Sequence, residues 1–319
     1  MTPYFSKVIS VSRFPIIVGV VFIHALIISN GTDLHYFLGN VVGRIGVPLF
    51  YIISGYLFFQ KYDNSLKCYK NKLKKRIFSL LVPYLMWNFI AYLIYAFITH
   101  TMQPESFLQS FWVVEGKPGH SPADGPLWFV RTLMILSVIS PIFYFLNKNK
   151  YTAYISPVLL LLWLIGCTGF NKGTVIGFTL FNTGAWLAIR NFDIHIKEPS
   201  RIYFMLSIFL YLIVAFLDLE FKGIPWLHNI GILIGIFVFF TLPKIAVPNF
   251  FVHLGGASFF MYCMHEPVLV CLQSSGLYRN VCVGGYLIAI IITVFLCTAT
   301  FYFLRKCFPK LCGVLAGNR

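Results

Sequence analysis

Apolar runs of membrane-spanning length recur along the whole of this chain, and that recurrence leaves no room for an ordinary soluble core. A hydrocarbon layer about 30 Å thick takes a helix of roughly 20 apolar residues. Ten segments can be drawn, at about 12–30, 40–60, 77–99, 127–146, 152–168, 174–190, 202–219, 228–243, 250–272 and 283–304. The fifth and eighth are short. Backbone amides in lipid must find partners within their own segment, so each run is expected to be helical. The expected fold is all-α: a polytopic transmembrane bundle of about ten helices, forming a single domain over 1–319. No tract is long or polar enough for a separate soluble domain.

The charge distribution sets the expected topology. A net charge of +15 would point to nucleic acid in a soluble protein, but here position matters more than the total. Lys61, Lys67, Lys70, Lys72, Lys74, Lys75 and Arg76 crowd one short loop between the second and third segments. The positive-inside rule puts that loop, and with ten spans both termini, in the cytoplasm. Of the 25 lysines and arginines, eighteen then fall inside and only Lys117, Lys172, Lys222 and Arg279 outside. Membrane lipid is therefore the expected surroundings, and no nucleic-acid partner is expected. Arg13, Arg44 and Arg131 lie within or at the edge of segments, where a cation needs a reason to be.

Eight cysteines show no Cys-x-x-Cys pair and no metal-ligand spacing with histidine, so neither a disulfide framework nor a metal site is expected. The first apolar run lacks a small-residue cleavage site and is read as a retained helix. Between 100 and 126 runs the longest outer loop, rich in Gly and Pro and carrying Glu105, Glu115, His120 and Asp124, of the kind that often serves as a lid or binding loop.

Arg13 and His24 share the first helix. Eleven residues rotate about 1100°, some 20° past three turns, and climb about 16 Å. One face thus carries a guanidinium near a membrane surface and an imidazole near mid-bilayer. Taken singly, the first reads as a snorkelling cation and the second as a buried, bonded histidine. Together they favour a polar site facing the protein interior. The second segment contains Gly43-Arg44-Ile45-Gly46-Val47-Pro48-Leu49-Phe50-Tyr51-Ile52-Ile53-Ser54-Gly55-Tyr56, in which Pro48 breaks one helical bond and the glycines permit close packing.

Five stretches in order resemble the acyltransferase-3 family: Arg-x10-His on the first helix, Val47 to Leu57 on the second, the basic loop closing on Lys74-Lys75-Arg76, Gly125-Pro126-Leu127-Trp128-Phe129-Val130-Arg131, and Met261-Tyr262-Cys263-Met264-His265-Glu266-Pro267. The resemblance implies a bacterial inner-membrane enzyme. Such enzymes move an acyl group, commonly acetyl, from cytoplasmic coenzyme A to a hydroxyl of an extracytoplasmic glycan. Acetyl-CoA would be a consumed donor, with no permanently bound cofactor. The acceptor would be a glycan or a lipid-linked saccharide.

On this reading His24 is the expected general base, since its ordinary pKa of about 6.5 suits proton transfer near neutrality. Arg13 is the expected second catalytic residue and donor anchor. Ser54, Lys72, Lys75 and Arg76 are expected to help hold the donor. Some members carry Arg-x-x-Arg in the first cytoplasmic loop, where this chain offers Lys72-x-x-Lys75 or Arg76 alone. Trp128, Arg131, His265 and Glu266 are the expected acceptor-side residues, with Glu266 pairing to Arg131 or Arg44 as the structural alternative. His120, His228 and His253 carry no motif and read as surface or packing residues. With no appended catalytic domain in this sequence, transfer is completed inside the membrane domain or by a separate extracytoplasmic acyltransferase partner. The alternative is a multi-span transporter or flippase for a small anionic or glycan substrate. No repeated halves are visible to support it.

Overall fold

The first apolar run folds as one helix, α1 (Pro3–Ala25), in a computed structural model that describes residues 3–25, 33–100, 123–169, 173–192, 200–242, 249–276 and 283–317. All regular structure among these residues is helical. The expected lid at 100–126 lies, but for residue 100 and its last four residues, outside them.

The second segment starts earlier than its hydrophobicity indicates and is not a uniform helix. α2 (Asp33–Phe59) opens with one α-helical turn and widens into a π-helix over Tyr36–Val42. It then tightens to a 3-10 turn at Gly43–Ile45 and is regular only from Gly46. The irregular turns end just before Pro48, which sits in the first turn of the regular stretch, where its missing amide costs least. Gly43 makes the crossing with α1 feasible, because a Cβ there would meet the carbonyl of Gly19.

The basic stretch expected to be a loop is in part a helix, α3 (Leu66–Arg76). Its start is capped: the Ser65 hydroxyl accepts from the Cys68 amide at 3.1 Å. The Asp63 carboxylate in turn accepts from the Ser65 amide and hydroxyl at 2.9 and 2.8 Å. Those bonds favour the ionised form and hold the Asp63 carboxyl below its ordinary range. A π-helical turn, Ile77–Leu81, leads into α4 (Val82–Thr99).

The fourth expected segment is broken. α5 (Trp128–Val138) and α6 (Ser140–Lys148) meet at a bend of 59°, with Pro141 at the start of the second piece. A proline there disfavours continuation of the preceding turn. Next come α7 (Ile155–Leu164), α8 (Gly173–Ile189), α9 (Arg201–Glu220) and α10 (Pro225–Phe240). The ninth expected segment divides at Gly255-Gly256 into α11 (Asn249–Gly255) and α12 (Ser258–Ser274). α13 (Val283–Cys307) and the short α14 (Pro309–Leu315) complete the order.

Among the described residues, five helical stretches are long and apolar enough to cross a membrane, and the bent pair makes a sixth. Thr152–Leu164, Gly173–Ile189 and Pro225–Phe240 are apolar but shorter. Large apolar side chains stand exposed along α9 (Ile202, Met205, Phe209, Phe216) and α13 (Ile288, Ile291, Phe295, Phe303), as lipid-facing surfaces should.

Inside, two devices tie the helices together. Asn147, Ser156 and Asn182 close a hydrogen-bonded triangle of 2.6–2.8 Å between α6, α7 and α8, all three buried. Polar glue of this kind is suited to an interior that lacks a hydrophobic drive between helices. Where α2 meets α8, the backbones touch: a Cβ on Gly55 would strike the Phe181 carbonyl, and one on Gly184 the Ile52 carbonyl. Gly184→Val is therefore expected to lower stability by about 1–3 kcal/mol through overpacking against an immovable backbone. Gly231→Ala, whose added methyl meets only Val214 Cγ1 at 3.4 Å, should be tolerated. Thermal unfolding of the detergent-solubilised variants checks this, and equal midpoints would contradict the α2–α8 contact.

Candidate functional site

Two cavities stand back to back against α1. One, about 490 Å³, is walled by Ser12, Arg13, Ser54, Arg76 and Ser79 among apolar neighbours. The other, about 710 Å³, is walled by His24, Tyr36, Asn40, Arg44, Trp128 and His228. Phe129 and Tyr262 belong to both walls. Their rings lie 5.9 Å apart in a T-shaped contact, and the Tyr262 hydroxyl donates to the Pro126 carbonyl. An aromatic partition thus separates the Arg13 cavity from the His24 cavity, with both residues presented by one helix.

Of the residues expected at the donor, Arg13, Ser54 and Arg76 are brought together in the first cavity. Lys72 and Lys75 do not line it. Lys72 places its Nζ 5.2 Å from the centre of the Phe58 ring, which Arg76 also covers at 5.7 Å, while Lys75 is exposed. The helical geometry of α3 thus delivers only its last basic residue to the cavity.

His24 lies with Nδ1 2.8 Å from Oε2 of Glu266, the side chains being 20% and 17% exposed. The expected partners of Glu266, Arg131 or Arg44, are replaced by this imidazole. The reason is α12, which aims residue 266 across at α1. Gly125 keeps the approach open, since a Cβ there would come within 3.1 Å of Glu266 Oε1. His265 is fully buried, its Nδ1 2.7 Å from the Tyr262 carbonyl and its ring edge-on to His24 with centroids 5.0 Å apart. A carbonyl only accepts, so Nδ1 carries the proton and donates. Nε2 of His265 is left buried without a hydrogen-bond partner among the described residues.

The ligand atoms of His24, His265 and Glu266 all lie within 4.8 Å of one another, a grouping that could hold a metal ion. Its tightest contact argues for a different use. Ligands about 2.0–2.1 Å from a tetrahedral ion sit more than 3 Å apart, whereas 2.8 Å is the spacing of a charge-assisted pair. A carboxylate on Nδ1 favours the tautomer whose Nε2 lone pair is free, which is the arrangement of an oriented general base.

Trp128, expected on the acceptor side, lines the His24 cavity. Arg131, one helical turn on, does not: it is buried, with Nη1 lacking a hydrogen-bond partner among the described residues. His265 and Glu266 also stand behind the wall and reach the cavity only through His24. Sequence reasoning missed the far wall. His228, read as a surface or packing residue, lines the cavity with Nδ1 2.8 Å from the buried carboxylate of Asp218, to which Tyr36 also donates at 3.4 Å. It missed Tyr262 too, although the i, i+3 spacing to His265 was there to read.

A family model described as an acyltransferase domain matches residues 9–302. The succinoglycan biosynthesis protein ExoH of Rhizobium meliloti (strain 1021) is 26% identical over 351 residues, covering 98% of this chain and 92% of that relative. No solved structure matches. The matched region opens ahead of Arg13 and closes beyond Glu266, enclosing both cavities; the chain belongs to this acyltransferase family and is a membrane enzyme that transfers acyl groups.

Proposed function

We propose that this protein transfers an acyl group, acetyl in particular, from a cytoplasmic coenzyme A thioester to a hydroxyl of an extracytoplasmic or cell-surface glycan, across a bacterial inner membrane. The observation that carries the reading is the pair of cavities sharing the Phe129–Tyr262 wall, one holding Arg13 and Arg76 and the other His24. The element order is compatible with ten spans and cytoplasmic termini, with the broken stretches each counted as one. On that topology the Arg13 cavity opens beside the basic helix α3 and the His24 cavity faces the outer half. A glycan acceptor is carried over from the relative named for succinoglycan biosynthesis.

In this mechanism Arg13 and Arg76 hold anionic groups of the donor, for which a planar guanidinium is the suitable clamp. The thioester end passes the aromatic partition toward His24. Nε2 of His24, oriented by Glu266 on Nδ1, takes the proton of the acceptor hydroxyl as its oxygen attacks the thioester carbon. A C–O bond forms and the C–S bond breaks. The proton then goes from the imidazolium to the departing thiolate, regenerating the base. Asn40 and the Trp128 indole line the same cavity and are among the donors available to the tetrahedral oxyanion. The acetyl donor is consumed, and no resident cofactor enters the scheme. A separate extracytoplasmic partner is not needed for it.

The paired cavities would also serve a carrier, and purified protein separates the two readings. Coenzyme A released from acetyl-CoA only when a hydroxyl acceptor is added is the expected result. Glycan uptake into vesicles without coenzyme A release would favour the transporter.

A further inference from the structure

We infer that the His24 cavity selects an oxyanion-bearing acceptor, held by Arg44 and oriented through a hydroxyl by the Asp218-fixed His228. The inference rests on the reading of this cavity as the acceptor site and names the chemistry of what enters it. Among the described residues its walls hold one permanent cation, Arg44, and two imidazoles, His24 and His228, but no carboxylate side chain. Three acidic groups near them have partners other than Arg44, while the Asp124 carboxylate is buried without a hydrogen-bond partner among the described residues and does not line the cavity. Glu266 faces His24, Asp218 faces His228 and Tyr36, and Asp33 pairs with Lys222 at 2.5 Å. Arg44 has no ion-pair partner among the described residues and stands exposed on the cavity wall, so its guanidinium is available to an anion there.

The local backbone explains how Arg44 is presented. It occupies the 3-10 turn that follows the π-helix of Tyr36–Val42, so Tyr36, Asn40 and Arg44 all reach the same cavity. Irregular turns of this kind recur where a helix is bent to serve a site. On the opposite wall, the 2.8 Å contact with a buried carboxylate makes Nδ1 of His228 the protonated nitrogen. Nε2 is left as an acceptor for a sugar hydroxyl. Arg44 as an anion clamp and His228 as a hydroxyl reader together define an acidic saccharide. The oxyanion has two sources, a sugar carboxylate or a phosphate ester, and both satisfy the same guanidinium fork.

Trp128 and Trp163 line this cavity, so occupancy can be read by quenching of intrinsic fluorescence, independently of turnover. The full chain in lipid nanodiscs is titrated with methyl glucoside, methyl glucuronide and methyl glucoside phosphate. Wild-type protein is expected to bind at least one anionic sugar about 10–100-fold more tightly than the neutral one, the worth of a charged hydrogen bond. Arg44→Gln should collapse that ratio to near one, Arg44→Lys should keep part of it, and His228→Ala should weaken all three ligands alike. Whichever anion is preferred identifies the source. Equal binding of the three sugars by wild type, or a preference that survives in Arg44→Gln, overturns the inference. An anion preference without coenzyme A release for any acceptor would sink acyl transfer while leaving this inference standing. Turnover with no anion preference would do the reverse.

Discussion

His24→Ala is expected to lower acyl transfer by about 10²–10⁴-fold while leaving donor affinity and folding close to wild type. The imidazole acts on a proton that moves only in the transition state, so the ground-state complex loses little when it is removed. Its place in the cavity opposite Arg44 and His228 also leaves the Arg13 cavity intact. Arg13→Lys should behave differently. The charge stays but the planar fork goes, so affinity for a non-hydrolysable acetyl-CoA analogue should fall. Turnover and analogue binding, each normalised to detergent-stable protein, separate the two. Equal losses of stability with unchanged activity per folded molecule would mean that both residues only hold the helices together.

Glu266→Gln should cost about 10²–10⁴-fold in rate although it removes only a charge. A carboxylate 2.8 Å from Nδ1 of His24 favours the tautomer with its proton on that nitrogen and leaves Nε2 as the base. An amide can turn its NH₂ toward Nδ1 instead, which stabilises the tautomer with the proton on Nε2 and blocks proton abstraction. A known serine-protease triad shows a loss of that order for the corresponding carboxylate-to-amide change. Glu266→Asp should recover part of the rate, because the charge remains though the reach is shorter. Gly125→Ala should give a smaller loss, since its methyl would press within 3.1 Å of Oε1 but the flexible end of Glu266 can give way. Steady-state rates at saturating donor measure all three, and a Glu266→Gln enzyme as fast as wild type would remove the carboxylate from the mechanism.

The one-face placement of Arg13 and His24 was readable because it needs only helical geometry within a single element. The glycines of α2 announced close packing for the same reason, although their partner, Gly184 of α8, was not deducible. What sequence could not supply was contact between distant helices. Glu266 found His24 instead of Arg131 because the direction of α12 decides its neighbour, and no spacing in the sequence encodes that direction. The Asp218–His228 pair spans the end of one helix and the start of the next without a recurring pattern. Hydropathy drew one span over 127–146, where the chain bends by 59° beside Pro141, because apolar content is blind to direction. Positive charge likewise marked 61–76 without revealing that Ser65 caps a helix there or that only Arg76 reaches the cavity.

The central claim is transfer between opposite faces of the membrane, and sidedness tests it most directly. The full chain is reconstituted in sealed vesicles, with orientation checked by impermeant thiol labelling of cysteines introduced at Lys67 and Lys222. Acetyl-CoA is then supplied on the face that exposes the basic helix α3, and the saccharide acceptor on the other. Coenzyme A should be released on the donor face and ester formed on the acceptor face, both lost in His24→Ala. Ester formation only when donor and acceptor share one face would contradict a path from the Arg13 cavity to the His24 cavity.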